Sequence, residues 1–596
     1  MKTLKFKFLI TIACLLLTTQ MSAQQQHVKA QQQNIQSFVQ VWGLVKYRST
    51  QSIEGKFDAD KVFLSLIDSV KNANQAQLNQ FLQKMIGPSL AVTTNERSNL
   101  NTKQHLLKNI DYSWINNNSY SKKTRQTLST LANQINKSAK HHYIPAVWYE
   151  SELPNEPAYA DYKFTDERMN LLALAKAWNA IAYLFPYKYM TDKDWTNVLE
   201  EMIPVFGKIN DRASYEKSVL LLATHINDTH AGEFLESEMK MSNLIFNVRY
   251  YPPFDYKATK EGIVVKQFLT DSLAKLNTLK PGDVIISING IKIDKWYKDR
   301  WALLPASNPA VKLRELGLMG NNRGDAFAFS NLESATLHVK VKRNGANLQL
   351  KTVMLDRIDK TNVQLIENSI TQQRNQAKHI KGMENIGEDI MIFRAGHFFD
   401  KNLPKADELA QLSADLKRKK AIIFDMRKYP QSPGLFSYYL PLLLGKAPFA
   451  FARYYALDLS DPGSFLHRDA LETYMYIDKD ATGPIGELYS GKIVILTNEE
   501  TQSMAEWFTM MLQQFNTNTT VIGSQTAGAD GDVKRIILPG KYRFSFTGNG
   551  IFYPDGRETQ RIGIKPDIYF NPSAVDLAGK TDAQLERALN FINNGK

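Results

Sequence analysis

Cysteine is almost missing. Cys14 is the single one in 596 residues, and it lies inside an N-terminal apolar segment. Disulfides and cysteine-based catalysis are therefore excluded for the rest of the chain, whose stability has to come from packing. Long hydrophobic runs are missing too. The apolar stretch from Phe8 to Leu17 falls short of the roughly 20 residues that a membrane helix needs. Charge of one sign is not concentrated either. The net formal charge is +13, and the basic residues are scattered except for Lys417–Lys420, directly before an apolar run. That cluster reads as a solvated lead-in to a strand rather than a nucleic-acid footprint, so no nucleic-acid partner is expected. The spacing of His225, Asp228 and His230 matches no zinc pattern. Neither a metal nor a cofactor is expected. What is present is ample core material, 43% hydrophobic against 22% charged residues, in a chain long enough for several domains.

The start carries Lys2, Lys5 and Lys7, then the short apolar run, then Ser22-Ala23 before a glutamine tract. This pattern predicts a secretory signal peptide over 1–23 and an exported, periplasmic protein without stable membrane insertion. Secretion, or lipid attachment through Cys14, is the alternative. Residues 24–33, "QQQHVKAQQQ", read as a polar tether. Two helical segments then resemble each other. Trp42, Tyr47 and Asp58 match Trp178, Tyr183 and Asp194 at a constant offset of 136 (178 − 42, 194 − 58). This predicts a duplicated helical unit, the first copy in 34–160 and the second in 161–244.

From about Ile245 the pattern changes to short strands. In "LKPGDVIISINGIKI", Pro281-Gly282 predicts a tight turn, Val284–Ile288 a strand, and Asn289-Gly290 a type I′ hairpin. A β-domain over 245–358 and a polar, glutamine-rich linker over 359–384 follow. Residues 385–575 alternate apolar strands with helices, an α/β core, and 576–596 form a C-terminal helix. The expected fold class is thus multidomain α+β. Within the core, "NEETQSMAEW" places Ser503 after the strand "IVILTN". The apolar positions Met504, Trp507, Phe508, Met511, Leu512 and Phe515 then follow at helical spacing. A serine at the mouth of a buried helix can cap it. It can also be a nucleophile, because free N–H groups at a helix start stabilise an oxyanion.

Several of these segments resemble known families. "LKPGDVIISINGIKI" closely resembles a PDZ domain, a module that adds an extended or C-terminal peptide to a sheet edge. "LTNEETQSMAEW" resembles the nucleophile segment of the C-terminal-processing (tail-specific) serine peptidases, including their tricorn-core-like histidine branch. The likeness continues in "IIFDMR", "GSQTAGADGDV" and "PDGRETQRIGIKPDI", and spans roughly residues 165–572 in family order. It implies a crotonase-like α/β serine peptidase core, with a polypeptide as substrate and partner. It puts Ser503 on the nucleophile. Ala529 occupies the place of the lysine used by one branch, so the resemblance points to the histidine branch. There "NDTHAG" makes His230 the general base. The third member falls on Glu558, or on Gln560 at the family's glutamate position. The oxyanion donors fall on the Met504 amide and the loop at Gln431 and Ser432. Asp425 and Arg427 read as structural. An inactive, peptide- or ligand-binding member is the alternative reading.

Overall fold

A computed structural model describes residues 2–87, 95–96, 104–136, 140–146, 150–317, 326–402, 406–436, 440–445, 449–467 and 487–595. They divide into two compact units. One is Met1–Leu222 with Leu457–Phe465 and Arg535–Phe544. The other is Ala223–Ala456, Leu466–Lys534 and Ser545–Lys596. His230 therefore belongs to the same unit as the PDZ-like region and the α/β core, although the sequence grouped it with the second helical repeat.

The first unit opens with one helix, Lys2–Arg48. The tether expected over 24–33 is part of this helix, which corrects that reading. Glutamine, alanine and lysine sustain a helix, and no glycine or proline interrupts the stretch. The side chains of 24–30 are all exposed, and continuous burial begins at Ser37. No described helix is long and apolar enough to cross a membrane.

The duplication has a clear structural signature. The Trp42 indole donates to the Ala59 carbonyl and the Trp178 indole to the Trp195 carbonyl, each at 2.7 Å and 17 residues along the chain. Asp58 caps the helix Ala59–Lys71, and Asp194 caps Trp195–Phe206. The copies meet at equivalent positions. The Tyr47 and Tyr183 rings lie 5.2 Å apart, and a Cβ on Gly43 would fall 1.7 Å from Asn179 Oδ1. Residues meeting their own counterparts mark a two-fold relation. Lys46 and Lys176 are buried here. Lys46 pairs with Glu156 at 2.6 Å, and Lys176 pairs with Glu156 at 2.9 Å and Asp60 at 3.3 Å. Buried charges require such compensation. Glu156 comes from the loop segment "SELPNEPAYAD", so that loop is an anchor.

In the second unit, a β-sheet orders its strands as Ala346–Val353, Thr336–Arg343, Val284–Ile288, Gly262–Phe268 and Phe254–Thr259, with Ile291–Lys292 beside Val284–Ile288. Asn289 and Gly290 have φ of 49° and 80°, as the hairpin between Ile288 and Ile291 demands. The expected linker contains a helix, Lys360–Lys378, capped by Asp359 and burying only Ile366. Val363, Ile366 and Ile370 stand at helical spacing, but the row is short within a polar, glutamine-rich stretch, and nothing there breaks a helix.

The core is a six-stranded sheet in the order Met383–Ile386, Ile390–Arg394, Ala421–Asp425, Lys492–Thr497, Thr519–Gly523 and Ile568–Tyr569. All neighbours are parallel except the first pair. Crossover helices such as Ala406–Arg418 and Met504–Gln513 explain the parallel pairing. The strands are near-continuous apolar runs, as a sheet covered on both faces requires. In such sheets ligands bind beyond the carboxyl ends of the strands. Lys492–Thr497, the strand that leads to Ser503, lies in the interior of the sheet.

Candidate active site

Ser503 is the residue before the helix Met504–Gln513, and its backbone is unusual. With φ 54° and ψ −121° it lies outside the extended region that N-cap residues adopt. A side chain other than glycine at such a position is strained by about 1–3 kcal/mol, and such strain clusters at functional sites. The surrounding hydrogen bonds hold the turn. The Ser503 amide donates to the Ala529 carbonyl at 3.1 Å, and the Glu506 amide donates to the Ser503 carbonyl at 2.7 Å. The Glu506 carboxylate accepts from the Ser503 amide at 3.2 Å, from Gly528 at 2.8 Å and from Ala529 at 3.0 Å. It also accepts from the Thr526 hydroxyl. Burial nevertheless pushes its carboxyl up. The acidic residue three places after the serine thus ties the turn to the glycine loop 526–529.

Ala529 is fully buried against the serine amide, so the place of the other branch's lysine holds a methyl group. Lys534 acts instead on Asp532, a half-buried carboxyl that also accepts from Asn549 at 2.7 Å and Tyr454 at 3.3 Å. Burial drives Asp532 upward, while Lys534 and His230 pull it down. Asp530 is pushed well up by burial and by the nearby Glu506 charge. Its Oδ1 accepts the Gly531 amide at 2.8 Å, whereas Oδ2 is buried without a hydrogen-bond partner among the described residues.

Of the oxyanion donors expected from the sequence, Met504 heads the helix, where amides lack intrahelical acceptors. The Gln431 amide is committed, donating to the Ala395 carbonyl at 3.1 Å. Ser432 is buried, and its hydroxyl donates to Asp400 at 2.6 Å. The same loop brings Tyr429, whose phenol lies against the Ser503 hydroxyl. Tyr429 is 46% exposed, so only partial desolvation raises its phenol, which the serine hydroxyl lowers, for a net rise. Asp425 and Arg427 form a strand-end pair at 2.7 Å, extended to Asp582 at 2.6 Å.

His230 sits in a short turn, Thr229–Gly232, whose cap is Asp228. Its Nδ1 lies 2.7 Å from the Thr547 hydroxyl. That hydroxyl lies 2.9 Å from Asp228 Oδ1, and the Thr547 amide donates to Asp228 Oδ2 at 2.6 Å. Gln560 is fully buried and donates to Asp228 Oδ1 at 3.2 Å. Glu558 is half-buried and forms an antiparallel bridge with Phe552. The sequence reading missed Thr547 in the strand Tyr542–Thr547, since a threonine in a strand carries no local signal. It met Asp228 only as a metal-ligand candidate, although the residue stands in the histidine's own segment. Among the described residues no group of three or more His, Cys, Asp or Glu side chains is arranged to hold a metal.

Two side chains from the β-domain expected over 245–358 reach the turn before the serine. Lys257 pairs with Glu499 at 2.7 Å. Arg314 donates to the Glu499 carbonyl at 3.1 Å and to Gln502 at 2.9 Å.

Residues 454–570 match peptidase family S41, and residues 246–310 match the PDZ domain. No curated protein matches the chain. Among solved structures it is similar to mature CPAF complexed with lactacystin, with 15% identity and a TM-score of 0.50 over 72% of this chain and 99% of that one. A second structure of mature CPAF gives the same identity and score, covering 98% of its chain. The photosystem II D1 C-terminal processing protease is 13% identical, with a TM-score of 0.31 over 70% of this chain and 98% of that one. The CPAF likeness is one of fold.

Proposed function

Residues 454–570 match peptidase family S41 and residues 246–310 a PDZ domain, and from that premise we propose how this serine peptidase works. It is an exported endopeptidase acting on unfolded or C-terminally presented polypeptides. Ser503 is its nucleophile and His230 its base. The observation that carries the reading is the backbone of Ser503, strained at the end of an interior parallel strand and the start of a helix. A cap needs no such strain, whereas a nucleophile held on a sharp strand-to-helix turn does.

In the reaction, Ser503 Oγ attacks the scissile carbonyl carbon as its proton passes to His230 Nε2. The carbonyl electron pair moves to the oxygen, which the Met504 amide receives together with the Ser432 amide from the loop. Collapse breaks the C–N bond, and the leaving amine takes the proton from His230. Water, deprotonated by the same imidazole, then hydrolyses the acyl-serine. The PDZ domain adds the substrate as a strand to its sheet edge, which favours extended, unfolded chains.

The test is incubation of the purified protein with a denatured protein, with products mapped by mass spectrometry. Cleavage lost in both Ser503→Ala and His230→Ala supports the mechanism. A wild type that binds peptides but cuts none would instead favour the inactive reading. The glutamine at 560 and the committed Gln431 amide are the two features that favour that alternative.

A further inference from the structure

The resemblance puts the family's glutamate at position 560, where this chain has a glutamine. An amide can hold a ring N–H but cannot balance an imidazolium. A carboxylate is nonetheless built into the same cluster. We propose that Asp228, acting through the Thr547 hydroxyl, is the acid that sets the tautomer of His230 and steadies its charged form, with Gln560 holding Asp228 in place. The proposal rests on the reading of Ser503 and His230 as nucleophile and base.

Proton counting supports it. Thr547 has one hydroxyl proton and two neighbours, Asp228 Oδ1 at 2.9 Å and His230 Nδ1 at 2.7 Å. A carboxylate oxygen only accepts, so the hydroxyl donates to Asp228. The Thr547 oxygen is then left to accept from the ring. The proton of the neutral imidazole therefore sits on Nδ1, which puts the basic lone pair on Nε2. The reverse arrangement would set two acceptors against each other.

The other contacts of Asp228 agree. It accepts from the Thr547 amide at 2.6 Å, the His230 amide at 3.3 Å and Gln560 Nε2 at 3.2 Å. With the Thr547 hydroxyl this makes four donors, the pattern of an ionised acceptor. Asp228 Oδ1 lies 3.9 Å from Nδ1, too far for a direct hydrogen bond, and the threonine hydroxyl spans that gap. Asp228, Thr547 and Gln560 are fully buried, so the carboxylate acts on the imidazolium with little screening by water. No proton leaves Nδ1 during the cycle. Asp228 and Thr547 are positioning residues. His230 remains the group that touches substrate.

The experiment compares Asp228→Asn, Thr547→Val and Thr547→Ser in the full chain, measuring kcat, KM and the pH profile on a peptide the wild type cleaves. Thermal melting verifies folding. Asp228→Asn and Thr547→Val are expected to lower kcat by on the order of 10²–10⁴ with KM within a few-fold. The acid limb of kcat/KM moves to lower pH, because the imidazolium has lost its partner. Thr547→Ser restores kcat to within about tenfold, because it keeps the hydroxyl. If Asp228→Asn does not fold, the Val and Ser pair at 547 carries the same comparison. The proposal is overturned if Thr547→Val keeps wild-type kcat and an unmoved acid limb, or if the loss follows Glu558→Gln alone. Cleavage that survives Ser503→Ala overturns the underlying reading as well.

Discussion

Ser503 is held in a conformation that glycine adopts without cost. Ser503→Gly is therefore expected to abolish cleavage while raising stability by about 0.5–1 kcal/mol, measured by denaturant unfolding. Ser503→Ala would abolish cleavage without that gain, because it keeps the Cβ. The buried carboxyls beside the serine give a second prediction. Burial raises Asp530 above its ordinary range, so its folded pKa exceeds its unfolded one. The folded chain then holds the proton more tightly, and stability falls as the pH rises above the normal aspartate range. Asp530→Asn removes that penalty and is expected to stabilise by about 1–3 kcal/mol at pH 8. The gain should shrink towards pH 4, as melting curves at both pH values would reveal. At this scale the serine, the histidine and the helix-heading Met504 could be proposed from the sequence because each stands in a motif. Thr547 was not, because only the fold brings the end of Tyr542–Thr547 to the ring of a histidine 317 residues away. The committed Gln431 amide was equally hidden, since backbone pairing to Ala395 leaves no mark on composition.

Elements read well wherever apolar periodicity was strong. The strand Lys492–Thr497, the helix Met504–Gln513 and the hairpin at Asn289-Gly290 follow directly from side-chain pattern and turn chemistry. Lys360–Lys378 and the residues 24–33 did not, because the apolar row of the first is short among polar residues and the second has none for periodicity to detect. The duplicated helices give a prediction at this scale. Trp42 and Trp178 each bridge to the first carbonyl of a following helix, so Trp42→Phe and Trp178→Phe each delete a buried indole hydrogen bond and leave part of a buried ring site empty. Each is expected to cost about 1–3 kcal/mol by chemical denaturation, and to about the same extent if the two copies are equivalent. Arg314 tests a different joint. It is paired with Glu315 at 2.7 Å, and burial brings that carboxyl to about 7. Arg314→Ala strands Glu315 and frees Gln502. It is expected to lower the midpoint of unfolding and, by loosening the turn before Ser503, to reduce kcat by roughly tenfold or more.

At the scale of the whole molecule, the order of the segments was legible and their grouping was not. The helical repeats, the PDZ domain and the α/β core occur along the chain as their patterns indicate. The compact units, however, are assembled from separated pieces, with Leu457–Phe465 and Arg535–Phe544 joining the helical unit. Sequence proximity could not reveal this, because contacts between residues hundreds of positions apart decide it. His230 follows the same logic. It continues the last helix of the repeats in sequence, but Thr547 and Asp228 beside it, and Gln560 on Asp228, lie with it in the second unit. The central claim is that this unit assembles a working nucleophile at Ser503. The most direct measurement is intact-mass analysis after reaction with a fluorophosphonate, followed by peptide mapping. The account predicts one adduct per chain, located on Ser503, and much slower labelling in His230→Ala. An unlabelled chain, or an adduct on another residue that persists in Ser503→Ala, would contradict it.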